Sequence, residues 1–489
     1  MSALILKGKD TDWEMICGLE IHCQIISKSK IYSPSSTQYG SDVNENVSFI
    51  DVGMPGMLPS LNKECVRQAL KTGIALNAKV NKYSAFARKN YFYADLPQGY
   101  QITQDKFPLI GEGVVKIELE NGETKEIGIE RLHIEQDTAK SIHDISPTKT
   151  FIDFNRAGVG LMELVTKPDF RSPEEVGAFL RKVRSIVRYL GTCDGNMDEG
   201  SMRCDASVSI RKVGEKEFRP RAEIKNVNSV KFACQAVEFE AKRQLEIYEN
   251  GGTMEQESRQ FDPVSGETKF MRKKEYAHEY RYFPEPDLLP LVLTDDFIAE
   301  VKADMVELPD DKKDRFVKEL GLTPYDAKVI CENRETAEFF ERAAKGHDAK
   351  KVANWLMGDF FAMLNEKKLT LDKSPISAEN LGELVELVSK NVINGKTAKD
   401  VFVIMAETGD SAAKIVEEKG LKQVTDTAAI EKIIDEIIAA NPDNVAAYRG
   451  GKTNLMGWFV GQVMKASQGK ANPVVVNQIL SKKLSIEGY

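Results

Sequence analysis

Met15-Ile16-Cys17-Gly18-Leu19-Glu20-Ile21-His22-Cys23-Gln24-Ile25-Ile26 reads as a β-strand, with Gly18-Leu19-Glu20-Ile21-His22 at its centre. Side chains on a strand alternate between its two faces, so Glu20 and His22 point the same way. The same spacing returns at His133-Ile134-Glu135, within Arg131-Leu132-His133-Ile134-Glu135-Gln136-Asp137. A third carboxylate, Glu163, stands in Gly160-Leu161-Met162-Glu163-Leu164-Val165 among apolar neighbours. Burying an unpaired charge costs several kcal/mol, roughly, so such a carboxylate needs a partner. One divalent cation, held by carboxylate oxygens and an imidazole nitrogen, would serve all of these groups. The spacing leaves a second reading open, in which the pairs are surface alternation or satisfied core histidines.

The rest of the chain bounds the class. Its 489 residues suffice for about two to four domains. Hydrophobic and charged contents of 42% and 29% are those of a soluble globular protein, and a net charge of −8 argues against a generally basic nucleic-acid binder. The seven cysteines are scattered and form no C-x-x-C, which points to a reducing compartment rather than a disulfide framework. No apolar run approaches the ~18 residues of a membrane span. The first ten residues resemble neither a signal peptide nor a transit sequence, so the expected location is the cytoplasm, with no membrane partner.

Local signals place the elements. Asn62 is a plausible cap for a helix, with Leu61 and Val66 as its hydrophobic staple. Arg88-Lys89-Asn90-Tyr91-Phe92-Tyr93-Ala94-Asp95-Leu96-Pro97 reads as an edge strand with a stacked lysine. Strands at 114–119 and 127–129 flank the hairpin dipeptide Asn121-Gly122. Ser172, Pro173 and Glu175 start a helix whose apolar stripe runs Val176, Phe179, Leu180, Val183, Ile186, Val187 and Leu190, and Gly191 ends it. Strands at 206–210 and 222–225 and a helix over 232–248 follow. After the proline-punctuated run at 280–290 the pattern is helical, with helices that include 352–364 and 381–392. The expected fold is therefore α+β: a domain over 1–294 with a largely antiparallel sheet, an all-α domain over 295–410 and an all-α tail over 411–489.

In the tail, residues 446–489 hold the cations Arg449, Lys452, Lys465, Lys470, Lys482 and Lys483 against one anion, Glu487. Such a face suits phosphate contact, and it equally suits solvent. Gly451-Lys452-Thr453 looks like the end of a P-loop, but Ala446 occupies the position of the first glycine and no strand precedes it, so a P-loop is excluded.

Taken together, these stretches resemble one family, the B subunits of the tRNA-dependent amidotransferases that act on misacylated aspartyl-tRNA or glutamyl-tRNA. The resemblance runs from about residue 14 to 480. It rests on Gly18-Leu19-Glu20-Ile21-His22, Arg88-Lys89-Asn90-Tyr91-Phe92-Tyr93, Arg203-Cys204-Asp205-Ala206 and Glu223-Ile224-Lys225-Asn226-Val227-Asn228-Ser229. Tyr280-Arg281-Tyr282-Phe283-Pro284-Glu285-Pro286-Asp287 and Gly461-Gln462-Val463-Met464-Lys465-Ala466-Ser467 complete it.

The resemblance implies a cradle-like N-terminal domain and a heterotrimer, whose other members are the glutaminase, or A, component and the small C component. It implies an ATP-dependent carbon–nitrogen ligase with glutamine as amido donor, which amidates the side chain carried by misacylated tRNA. The metal ligands it implies are Glu20, His22, Glu135 and Glu163, with Mg2+ as the ion and manganese as a substitute. It gives catalytic roles to Lys89, beside the ammonia entry, and to Glu135. Arg156 is a candidate ATP-phosphate clamp, with a structural salt bridge as the alternative, and Arg449, Lys452, Lys465 and Lys470 are candidate tRNA contacts. The rival reading is a non-catalytic tRNA-binding scaffold.

The sequence also departs from the family pattern. Ser33, Ser35, Ser48 and Asp51 stand where many relatives carry zinc-binding cysteines, so no zinc is expected. Ala139 replaces a glycine, the turn 157–160 lacks a Thr-Pro, and Asn454 replaces a lysine.

Overall fold

The computed structural model describes residues 3–273, 277–423, 427–467 and 471–485. In chain order its principal strands are β1 (Ile5–Lys7), β2 (Asp12–Gln24), β3 (Ala87–Asn90), β4 (Tyr100–Thr103), β5 (Gly113–Glu118) and β6 (Thr124–Gln136). β7 (Gly160–Thr166), β8 (Met202–Lys212), β9 (Ala222–Val227), β10 (Glu257–Asp262), β11 (Glu267–Lys273) and β12 (Phe283–Pro284) follow. The helices that pack with them are α1 (Lys63–Ala75), α2 (Pro173–Leu190), α3 (Val230–Glu249) and α4 (Asp295–Ala303).

The opening stretch becomes the middle of the architecture. Among the described residues a nine-stranded sheet runs β11-β10-β9-β8-β2-β7-β6-β5, with β1 added to β2. Every pairing is antiparallel except β9 with β10, which confirms a largely antiparallel α+β fold. The period of two decides which face of β2 is covered. Met15, Cys17, Leu19, Ile21 and Cys23 enter the core with Cys204, Ala206 and Val208 of β8 and the apolar stripes of α2 and α3. Glu20, His22 and Gln24 are left on the opposite face.

The capping signals hold with one difference. Asn62 accepts from the Glu64 N–H, and Ser172 accepts from the Glu175 N–H. The Glu175 carboxylate takes the N–H of Arg171, one residue before the cap, and the ammonium of Lys125. Ser172 is buried, so Ser172→Ala leaves an amide without its acceptor; the expected loss is about 1 kcal/mol, read as a lower urea midpoint with an unchanged slope.

Three expectations need correction. β3 is not an edge strand: β12, from far along the chain, pairs with it on one side and β4 on the other. The helix expected over 352–364 carries a π-helical turn at Leu356–Phe360. The proline-rich run is not the end of the first body. α4 packs on α1, Val301 is fully buried in the core of the sheet domain, and Arg67 and Lys71 pair with Glu300 and Asp304. The chain accordingly divides into two compact units, Met1–Pro309 and Asp310–Tyr489. The second is helical, and Ile430, Ile434, Phe459, Val463, Val476 and Leu480 form a core of their own within it.

Candidate functional site

The register brings the separate sequence pieces together on the open face of the sheet. Glu163 on β7 lies opposite His22 on β2 to one side and opposite His133 on β6 to the other. His22 Nε2 is 3.6 Å from Glu20 Oε1 and 3.4 Å from Glu163 Oε2. His133 Nε2 is 3.5 Å from Glu135 Oε2 and 3.4 Å from the same Glu163 oxygen. Two donor groups result, Glu20–His22–Glu163 and His133–Glu135–Glu163, and within each the candidate ligand atoms lie within 4.8 Å of one another. The four residues expected as ligands thus fall into two clusters that share Glu163. His133, marked in the sequence by its spacing but absent from the expected ligand set, is an equal member. Carboxylate oxygens with one imidazole per cluster suit a divalent ion such as magnesium or manganese.

Electrostatics tie the clusters together. Burial opposes charge on His22, yet its hydrogen bond to Glu163 and the charges of Glu163, Glu20 and Asp205 hold it up at about 9. Burial opposes charge on His133 as well, and Glu163 and Glu135 raise it to about 9. Burial would push the Glu163 carboxyl up, but the two histidines hold it well below the usual carboxylate range. Glu20 is pushed up by burial and by the nearby Glu163.

Around these groups lies a cleft of about 320 Å³ whose walls include Lys89, Arg131, Lys225 and Tyr282. Lys89 Nζ sits 5.0 Å from the centre of the Tyr280 ring. Burial would lower its pKa, but Glu135 and Tyr282 keep it above the ordinary lysine value. Thr103 donates to Glu135 at 2.8 Å. Lys225 pairs with Asp205 at 2.7 Å and with Glu223 at 3.1 Å. Sequence reasoning marks the stretches containing Asp205, Glu223 and Lys225 without giving these residues a role. Their period-two spacing on β8 and β9 is the available clue.

Arg156, the candidate phosphate clamp, is held by the chain itself. It lies outside the cleft lining, and its guanidinium donates to the carbonyls of Thr138 and Ala139 and pairs with Asp137. It fixes the loop after β6, which is the salt-bridge alternative. On the other side of Asp137, Arg203 forks onto both carboxylate oxygens at 3.1 and 3.2 Å.

At the corner formed by Ser33 and Asp51, Ser33 donates to Asp51 at 2.7 Å and the buried Lys30 reaches the other Asp51 oxygen at 3.1 Å. In the tail, Arg449, Lys452 and Lys465 are exposed, and Arg449 donates to the carbonyl of Lys483. Lys470 lies outside the described residues. Lys483 is neutralised by Glu431 and Asp435, two acids just upstream of the cationic 446–489 segment.

Known proteins share this geometry's sequence along the whole chain. The family described as GatB/GatE catalytic domain matches residues 15–299, and the GatB domain matches residues 338–484. A protein of Paramagnetospirillum magneticum, named as the B subunit of aspartyl/glutamyl-tRNA(Asn/Gln) amidotransferase, is 58% identical over 482 residues, covering 99% of each chain. Proteins of the same name from Rhodospirillum rubrum and Acidiphilium cryptum are 58% and 57% identical over 480 and 484 residues, 98–99% of this chain and 99% of theirs. Most of the sheet-bearing unit thus matches an amidotransferase catalytic domain, and most of the helical unit matches a second domain of the same family. The chain belongs to the family of aspartyl/glutamyl-tRNA(Asn/Gln) amidotransferase B subunits.

Proposed function

We propose that this chain is the ligase subunit of a glutamine-dependent amidotransferase complex. It converts misacylated Asp-tRNA(Asn), Glu-tRNA(Gln) or both to the amidated forms, with the glutaminase (A) and small (C) components as partners. A carboxylate resists direct amidation because oxide is a poor leaving group. Bound ATP with a divalent ion supplies the phosphoryl group and charge compensation that turn that oxygen into a good leaving group. Glu20, His22, Glu135, Glu163 and the added His133 would hold the ion. Lys225 and Arg131 place positive charge along the cleft wall, where phosphates would lie. Glu135, held by Thr103, is positioned to accept the proton that ammonia sheds on attack, and Lys89 beside it fixes the approach. Arg449, Lys452, Lys465 and Lys470, in the tail over 411–489, would contact tRNA phosphates. The cytoplasm is the expected location, and among the described residues no helix is long and apolar enough to cross a membrane.

The observation that carries this reading is the convergence of two further carboxylates and two imidazoles on Glu163, beside a cleft whose lining includes Lys89, Arg131 and Lys225. A tRNA-binding scaffold has no use for it. The test is amide formation by the chain co-expressed with candidate glutaminase and small components, on misacylated tRNA with glutamine, ATP and magnesium. Product is expected to vanish when ATP or magnesium is omitted. Glu20→Gln should abolish tRNA-dependent ATP hydrolysis while tRNA affinity stays within about twofold, because phosphate contacts elsewhere dominate that affinity. Tight tRNA binding without ATP turnover, in a complex whose glutaminase hydrolyses glutamine, would favour the scaffold.

A further inference from the structure

Two stretches singled out in the sequence, 88–93 and 280–287, meet beside Lys89. The second runs past β3, where Phe283 and Pro284 pair with Arg88 and Ala87. Within 281–287 Glu285 alone is buried, so no apolar core holds this segment. Pro284 and Pro286 flank Glu285. Proline fixes its own backbone and keeps the residue before it extended, which makes the segment stiff. Beyond the short pairing, polar side chains hold it. Arg88 grips Glu285 through Nε and Nη2 at 2.8 and 2.9 Å, reaches Asp287 at 3.0 Å and lies over the Tyr100 ring at 4.1 Å. Such a forked, stacked guanidinium is a strong and directional anchor. The Asn90 amide, two residues along β3, donates to the carbonyls of Tyr280 and Arg281 at 3.1 and 2.9 Å. Arg281 has φ +46°, a left-handed conformation that a bulky side chain rarely adopts and that persists only where its surroundings enforce it.

Lys89 stands between the two gripping residues. Side chains alternate along a strand, so Arg88 and Asn90 share one face of β3, and Lys89 takes the other with Gln101 and Thr103 of β4. Thr103 is the residue that donates to Glu135. The held segment returns to that face through its rings. Tyr280 lies 5.0 Å from Lys89 Nζ and Tyr91 lies 5.9 Å from it, the two rings meeting edge to face. Tyr280 and Tyr282 join Lys89 and Glu135 in the wall of the cleft. A lysine stem is flexible, and aromatic faces around its ammonium restrict where that charge can sit. Arg88 and Asn90 do not line the cleft.

We propose that Arg88 and Asn90 are positioning residues for the amidation step: by latching residues 280–287 onto β3 they set the Tyr280 ring against Lys89, and so keep Lys89 beside Glu135 where the nitrogen nucleophile arrives. This rests on the ligase reading above. Both residues act through Lys89, and neither touches the reacting atoms.

The test is steady-state amide formation by the assembled complex, with ammonium chloride in place of glutamine so that the nitrogen source is varied directly. Lys89→Met sets the reference, and its kcat/KM for ammonium should fall about a hundredfold, the scale of a misplaced reacting group. Arg88→Met should lower the same quantity at least about tenfold and leave the KM for magnesium ATP within about twofold. Added to Lys89→Met, it should cost no more than about twofold further, because changes that act through one group do not add. A merely structural contact would take the same toll in both backgrounds. Arg88→Met strands the buried Glu285 carboxylate, so Asn90→Ala, which strands no charge, carries the test if that variant does not fold. About a fivefold loss is expected, the scale of one net hydrogen bond, and again none in the Lys89→Met background. Losses that multiply in the double variants, an equal rise in the KM for ATP, or wild-type use of ammonium by folded latch variants overturn the assignment and leave the ligase reading intact. Wild-type use of ammonium by Lys89→Met also overturns it, since nothing then remains to be positioned. Failure of the wild-type complex to form amide from either nitrogen source would remove the ligase reading itself.

Discussion

Glu163→Gln is expected to abolish amide formation, with a loss on the order of 10³-fold, and to do so more completely than any other single change at the site. Its Oε2 lies 3.4 Å from both imidazoles, so one substitution withdraws negative charge from both donor groups. Loss of an outer-shell partner costs about 10–100-fold in metal affinity, and loss of a shared ligand should exceed that. A second readout separates this from unfolding. In the metal-free chain both histidines are held at about 9, largely by Glu163. A histidine whose pKa is raised on folding contributes stability that is fully present below its unfolded value of about 6.5 and is lost as the pH climbs through the folded value. The variant lacks that contribution. Its stability deficit in urea should therefore be largest near pH 6 and should close toward pH 9, where the fold is expected to be intact and the activity still absent. Retention of magnesium-dependent activity by a folded Glu163→Gln enzyme would falsify the shared-ligand arrangement.

What the sequence could and could not disclose follows from the range of the forces involved. Glu20 and His22, and His133 and Glu135, are legible because strand periodicity is local: two residues apart means one face. Glu163 is legible as a carboxylate among apolar neighbours. Their meeting is not local. It depends on β7 inserting between β2 and β6, a register set by turns and core packing over more than a hundred residues, and only the family resemblance anticipates it. The resemblance also supplies one ligand set and so passes over His133, which strand spacing alone treats as the equal of His22. Arg156 is a candidate on the chemistry of its side chain, and sequence carries no information about which carbonyls a guanidinium will find. β3 reads as an edge because its partner β12 is a two-residue strand remote in the chain.

Asp137→Asn is expected to be the most destabilising polar substitution near the site, by about 2–3 kcal/mol at neutral pH, the cost of withdrawing the charge partner of the largely covered Arg203. Asp137 follows β6 directly, and it binds Arg203 of β8 through both oxygens, Gln24 of β2 at 2.9 Å and its neighbour's amide, the Thr138 N–H, also at 2.9 Å. The carboxylate thus ties the end of the strand that carries Glu135 across the sheet to the strands that carry His22 and Asp205. Burial would raise its pKa, but Arg203 and Arg156 outweigh burial and hold it at about 2. A carboxyl depressed on folding contributes stability that is present above its unfolded value of about 3.9 and lost as the pH falls through the folded value. At about 1.4 kcal/mol per unit, roughly 2–3 kcal/mol of the wild-type advantage should disappear between pH 4 and pH 2. Trp13 on β2 is the single tryptophan before residue 309, so its fluorescence reports this unit once Trp355 and Trp458 are changed to phenylalanine. Urea midpoints for wild type and Asp137→Asn should converge as the pH drops below 4. A gap that stays constant down to pH 2.5 would mean that the variant fails through lost packing rather than lost charge.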